Sequence, residues 1–236
     1  MRRRFPTRLS GLAIVAGVFF AVPLFAAEPK PDGHGYVDLF DGKSLDGWVQ
    51  RGGKAKYTVA DGQIVGSAVP NTPNSFLCTQ RDYGDFILEL EFKVDPTLNS
   101  GVQIRSHFAE EGKEVKSAGK TIKGGPGGRV FGYQVEIDPT ERAYTGGVYD
   151  EGRRGWLQDL KENEAARKAF KAKEWNTLKI ECKGPAIKTW VNGVAAADLK
   201  DDVDATGFIA LQVHGIGKKT DPLEVRWRKI RLKELK

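Results

Sequence analysis

Asn99-Ser-Gly-Val-Gln-Ile-Arg-Ser106 and Gly132-Tyr-Gln-Val-Glu-Ile-Asp138 alternate apolar and polar residues almost throughout. Successive side chains on a strand point to opposite faces, so each segment reads as a β-strand with two unlike sides. Val102, Ile104, Tyr133, Val135 and Ile137 form one side, and Gln103, Arg105, Gln134, Glu136 and Asp138 the other. An ordinary solvated face more often carries Lys, Thr, Ser and Glu. Amides, a guanidinium and carboxylates side by side suit a ligand rich in hydroxyls.

The same alternation recurs on either side. Phe86-Ile-Leu-Glu-Leu-Glu-Phe-Lys-Val94 places Phe86, Leu88, Leu90, Phe92 and Val94 together. Lys188 to Val191, Asn192-Gly193 and Val194 onward read as a hairpin with the dipeptide that favours positive φ. Segments 177–182, 208–213 and 224–232 are further strands. In the last, Val225 and Trp227 share a phase, while Ile230 and Leu232 have slipped by one, which predicts a bulge near Lys229. Helix is scarce: Asn163 to Lys171 could form a couple of turns with Asn163 as cap. Residues 107–129, polar and then glycine-rich at Gly124-Gly-Pro-Gly-Gly128, read as a long flexible loop over one rim. Such a loop suits either a cover for a binding site or a simple insertion. Many short strands between Gly, Asn and Asp turns make an all-β sandwich.

At 236 residues the chain has room for one domain behind a leader. Arg2, Arg3, Arg4 and Arg8 precede an apolar run from Leu12 to Phe25 that ends at Ala26-Ala27. This is the form of a secretory signal over residues 1–27, with export to the periplasm or medium expected and an uncleaved anchor as the alternative. Residues 28–35 then read as a linker and 36–236 as the folded domain. Without the leader, Lys and Arg fall from 37 to 33 against 31 Asp and Glu, and the net charge from +6 to +2. No basic stripe interleaved with aromatics is visible, so no nucleic-acid partner is expected. Nor is stable membrane insertion after leader removal. Cys78 and Cys182 fit one disulfide or two buried thiols equally well. Two lone Cys make a poor metal site.

Several fragments stand in order along the chain: Leu39-Phe-Asp-Gly-Lys-Ser-Leu-Asp-Gly-Trp48, Tyr83-Gly-Asp-Phe86, Asn99-Ser-Gly-Val102, Gly132-Tyr-Gln-Val-Glu-Ile137, Trp175-Asn176, Trp190-Val-Asn-Gly193 and Gly207-Phe-Ile-Ala-Leu-Gln-Val-His-Gly215. Together they resemble the bacterial 3-keto-disaccharide hydrolase family, formerly a domain of unknown function. The resemblance implies a concanavalin A-like jelly-roll sandwich of two antiparallel sheets with at most one or two short helices. It also implies a concave sheet lined by the polar residues above. The implied substrate is a 3-keto-glycoside or another carbohydrate.

On that face Arg105, Glu136 and His214 are the candidate catalytic groups, and Gln103, Gln134, Gln212, Glu91 and Asp138 candidate substrate ligands. Glu89 and Glu91 read equally as a solvated strand face. His214 ends a strand where a rim imidazole can reach a groove, and an imidazole is a group suited to proton transfer at neutral pH. A ketone at C3 would acidify the C2 hydrogen, so elimination needs a base, an acid and an electrophile for the enolate. Glu136 and His214 would share the first two tasks and Arg105 the third. No resident cofactor is called for, although a divalent cation is an alternative electrophile. Tyr144, Tyr149 and Trp156 lie in glycine-rich connections where a ring could stack on a pyranose, whereas Trp48, Trp175, Trp190 and Trp227 read as core. His107 reads as ligand contact or simple exposure, and Asp201, Asp202 and Asp204 as a solvated turn. Two alternatives stand beside this chemistry. One is a non-catalytic, lectin-like module. The other is a retaining β-glucanase using Glu136 and Glu141, although Pro139 should turn Glu141 away.

Overall fold

The computed structural model describes Met1 and residues 31–236; the remainder of the expected leader lies outside the described residues. Two large antiparallel sheets face each other. The first runs β15 (Val194–Lys200), β14 (Ala186–Val191), β13 (Asn176–Lys183), β6 (Phe86–Val94), β17 (Glu224–Glu234), β4 (Gln63–Ser67) and β3 (Lys56–Ala60), with β1 (Val37–Asp38) beside β17. The second runs β12 (Gly155–Gln158), β11 (Val148–Glu151), β10 (Arg129–Ile137), β7 (Ser100–Ala109), β16 (Gly207–Val213), β5 (Ser75–Tyr83) and β2 (Trp48–Gly52). A separate hairpin pairs β8 (Glu114–Ser117) with β9 (Lys120–Lys123). This is the all-β sandwich that the alternation predicts.

Alternation also sets the core. Phe86, Leu88, Leu90, Phe92 and Val94 of the first sheet meet Val102, Ile104, Tyr133, Val135 and Ile137 of the second, all buried. The bulge near Lys229 is present: Lys229 has φ of 51°, the β6–β17 register shifts there, and Trp227 and Ile230 are both buried. Asn192 and Gly193 take positive φ in the β14–β15 turn. The one helix among the described residues, α1 (Glu164–Ala169), is capped by Asn163, whose Oδ1 accepts from the Ala166 amide at 3.1 Å.

The second sheet is curled. β10 touches β2 although three strands lie between them, a span of about 19 Å in a flat sheet at normal strand spacing. On the inside of the curl, one end is filled by Phe76, Cys78, Val130, Phe208, Ala210 and Phe108, with Arg51 over the rings of Phe108 and Phe208. The segment expected as a flexible loop is built differently. β7 continues through Ala109, the β8–β9 hairpin follows, and residues 124–128 lie down on the rim of β2. There the Gly52 amide donates to the Gly127 carbonyl, and the Gly127 amide to Glu111. Gly127 is required by that approach, since a Cβ would sit 2.3 Å from the Gly52 oxygen.

The two thiols are free and lie on opposite sides of the second sheet, Cys182 in the sandwich core and Cys78 in the cluster inside the curl. Trp48 and Trp227 are core residues, as expected. Trp175 and Trp190 are not. They lie half-buried, with Arg228 over Trp175 at 4.0 Å and Lys179 over Trp190 at 4.8 Å. Long cationic stems shield ring faces that the core has no room for.

Candidate functional site

β10 and β7 pair so that Gln134 lies opposite Gln103 and Glu136 opposite Gly101. Both side chains of β10 point into the curl. Gly101 makes room for them, because a Cβ there would press within 2.8 Å of the Gln134 amide. A directional chain of buried hydrogen bonds follows. The Ser106 hydroxyl donates to Gln103 Oε1 at 2.7 Å, Gln103 Nε2 to Gln134 Oε1 at 2.7 Å, and Gln134 Nε2 to Glu136 Oε2 at 2.9 Å. Asn99 Nδ2 donates to the other carboxylate oxygen. Burial nevertheless pushes the Glu136 carboxyl up to about 7, against the two amide donors, and neighbouring Asp138 adds to the rise.

Glu136 faces a hollow of about 280 Å³ lined by Asn99, Gln134, Arg142, Tyr149, Glu151, Trp156 and His214. Tyr149 and Glu151 alternate on β11 and so reach the same side. Trp156 stands edge-on to Tyr144 and Tyr149, with centroids 5.4 and 5.3 Å apart, and Arg142 lies over the Trp156 ring at 5.4 Å. His214 is exposed at the rim, its Nδ1 2.8 Å from the Gly215 carbonyl. A carbonyl only accepts, so Nδ1 carries hydrogen and Nε2 is the nitrogen free to exchange a proton. Burial also raises the Glu151 carboxyl, with Arg129 opposing at 3.8 Å. The hollow thus holds two carboxyls shifted toward neutrality, an imidazole, a guanidinium and two rings, a donor set fitted to moving a proton on a polyhydroxylated ligand.

Other expected residues stand elsewhere. Arg105 does not reach the hollow. β7 carries a one-residue bulge at this point: Ile104 pairs with Tyr133 and His107 with Phe131, leaving Arg105 and Ser106 opposite the single Gly132. With φ of 44° Arg105 leaves the polar side and Ser106 takes its place. The guanidinium is buried and clamps the β5–β6 connection to the β13–β14 turn, donating to the carbonyls of Gly84 at 2.8 Å and Gly184 at 2.7 Å and to Asp85 at 2.8 Å. Glu91 lies on the outer face of the first sheet, where Arg228 and Lys229 hold it at 2.6 and 2.7 Å. It also lines a hollow of about 660 Å³, together with Glu89, Lys179, Trp190 and Arg231. There burial works against Glu91 but is outweighed by Lys229 and Arg228, which hold its carboxyl low.

Asp138 is fully buried and committed to its own loop. It accepts from Thr140 Oγ1 at 2.6 Å and Arg142 Nε at 2.7 Å, which outweigh burial and keep it low. It therefore acts on the hollow by fixing Arg142. Gln212 is buried on the curled face, with neither amide atom hydrogen-bonded. Glu141 sits beside Lys161 and Arg167 in a different hollow, turned away from Glu136 as Pro139 predicts. His107 pairs with Asp204 at 3.0 Å. Asp201 and Asp204, expected in a solvated turn, instead pair with Arg154 and Arg153 in a partly buried ionic cluster. Asn99, Arg142 and Glu151 belong to the hollow without having been singled out. Only the alternation of Tyr149 and Glu151 along Val148–Glu151 hinted at the last. No group of three or more His, Cys, Asp and Glu placed to hold a metal ion occurs among the described residues.

Solved structures of similar fold include a protein of Parabacteroides distasonis ATCC 8503 provisionally assigned as a glycosyl hydrolase. It is 20% identical, with a TM-score of 0.56, covering 86% of this chain and 95% of that one. The carbohydrate binding module CBM66 of Bacillus subtilis is 14% identical, with a TM-score of 0.54, over 80% of this chain and 96% of that one. A Bacillus subtilis protein of unknown function with a galectin-like fold gives 12% and 0.57, over 84% and 98%. No curated protein matches the sequence. The model of the 3-keto-alpha-glucoside-1,2-lyase-like domain matches residues 35–233, nearly the whole described chain, and the protein belongs to that family.

Proposed function

We propose that this protein cleaves 3-keto-glycosides by elimination across C1 and C2, followed by addition of water. The observation that carries the reading is Glu136, a buried carboxyl brought to about 7 at the floor of a polar, ring-lined hollow. A carboxylate in that range serves as a base at neutral pH, and burial leaves it poorly solvated and reactive. Glu136 removes the C2 proton, made acidic by the C3 ketone, and the charge passes to the ketone oxygen as an enolate. Arg142, fixed by Asp138, takes the electrophilic role expected of Arg105. Collapse of the enolate expels the C1 oxygen, which His214 protonates through Nε2. Water adding across the C1–C2 double bond completes a net hydrolysis. Asn99 and Gln134 orient the base, while Tyr149 and Trp156 offer ring faces to the sugar.

The test is turnover of a methyl 3-keto-glucoside beside the unoxidised glucoside. Product from the ketone alone is expected, with kcat lowered at least about a hundredfold by Glu136→Gln and about tenfold or more by His214→Ala. Wild-type turnover in both variants sinks the assignment. Binding of either sugar without product supports a lectin-like module instead.

A further inference from the structure

A second hollow of about 380 Å³ adjoins the first, and Glu151 lines both. Its chemistry differs. The floor is Phe76 and Val130, and its sides are Pro73 with Asn74 and the glycine segment around Pro126. Its cations are already matched: Lys123 pairs with Glu114 at 2.9 Å and Arg129 with Glu151. The sides are also fixed in place. Gly52, Gly53 and Gly127 are tied by backbone hydrogen bonds between β2, Asn74 and the glycine segment, so the cleft exists before any ligand arrives.

We infer that this cleft takes the aglycone of the substrate, and that the aglycone is an apolar, ring-shaped group rather than a second sugar. The inference rests on the reading of the first hollow as the sugar site. Its own support is the change of lining across Glu151, from amides, acids and imidazole on one side to exposed Pro73 and Pro126 over buried Phe76 and Val130 on the other, with Asn74, Lys123 and Arg129 at the edge. A hexose beyond Glu151 would leave hydroxyls facing the exposed Pro73 and Pro126 unpaired, whereas an aromatic ring covers the two prolines and removes their surface from water. Preformed pockets of this size are the usual ligand sites. Gly125 supplies a probe: a Cβ there meets nothing within 4 Å, and its φ lies outside the left-handed region. Gly125→Leu therefore adds a side chain at the cleft without backbone strain.

Binding of methyl 3-keto-glucoside, phenyl 3-keto-glucoside and a 3-keto-disaccharide is measured by calorimetry on wild type and Gly125→Leu. Glu136→Gln serves as host for any ligand that turns over. The phenyl glycoside should bind about tenfold or more tighter than the other two. Gly125→Leu should erase that advantage and leave methyl glycoside affinity within about twofold, which also reports an intact fold. Equal affinity for all three ligands, a preference for the disaccharide, or a phenyl preference untouched by Gly125→Leu overturns the inference. The ratio is read from affinity, so a protein that binds but never cleaves sinks the elimination chemistry and leaves the aglycone cleft standing. Binding of none of the three overturns both.

Discussion

Glu136 is where burial does most to alter chemistry, and its effect on stability has a definite sign. A carboxyl raised from 4.5 to about 7 favours the protonated fold. Its contribution is therefore complete below about 4.5 and is lost as pH rises through 7, on the order of 3 kcal/mol at most. Glu151, also raised, adds in the same direction, and Asp138, held low, acts in the opposite sense at more acid pH. Arg142 stays charged throughout and opposes the rise at Glu136. We expect urea melts of Glu136→Gln to gain stability relative to wild type between pH 5 and 8, while the wild-type kcat/KM rises toward pH 7. Parallel stability profiles for the two proteins would contradict a buried, proton-hungry Glu136.

Strand β7 shows why one expected residue left the site. In β17 the bulge announces itself, because the buried residues change phase from Val225 and Trp227 to Ile230 and Leu232. In β7 the even-numbered Phe108 keeps the phase of Val102 and Ile104, yet it packs inside the curl and they pack in the core. The sequence carries no phase change there, so the bulge that redirects Arg105 is silent until β10 and β16 are paired with it. Arg105 holds three backbone carbonyls and Asp85 at one end of the sandwich. Arg105→Met should cost roughly 2–4 kcal/mol by leaving those acceptors unmet, a fall of about 5–15 °C in Tm. Activity measured well below the transition should survive. Full stability with lost turnover would return Arg105 to the catalytic set.

At the scale of the whole molecule, the two sheets keep Cys78 and Cys182 apart and burial pushes both thiols up to about 12. Neither should react with an aromatic disulfide reagent in the folded protein, both should react in denaturant, and a reductant should leave Tm unchanged. Fewer than two thiols titrating after unfolding would show that a bridge had formed. Much of this architecture is written locally. Period-two alternation gives the strands and their inner faces, Asn192-Gly193 the hairpin, Asn163 the cap, and the odd phase near Lys229 a bulge. Gln103, Gln134 and Glu136 are legible for the same reason, lying on one regular stretch where parity alone assigns a face. Which polar residues share a hollow is another matter. Arg142 enters through a loop, Asn99 from the turn before β7, and Glu151 and Trp156 from the neighbouring strands β11 and β12, while Arg105 departs through a bulge and Glu91 belongs to the other sheet. Alternation fixes the side of a strand because it is a property of the backbone; convergence depends on pairing, register and sheet curl, which arise only when distant segments meet.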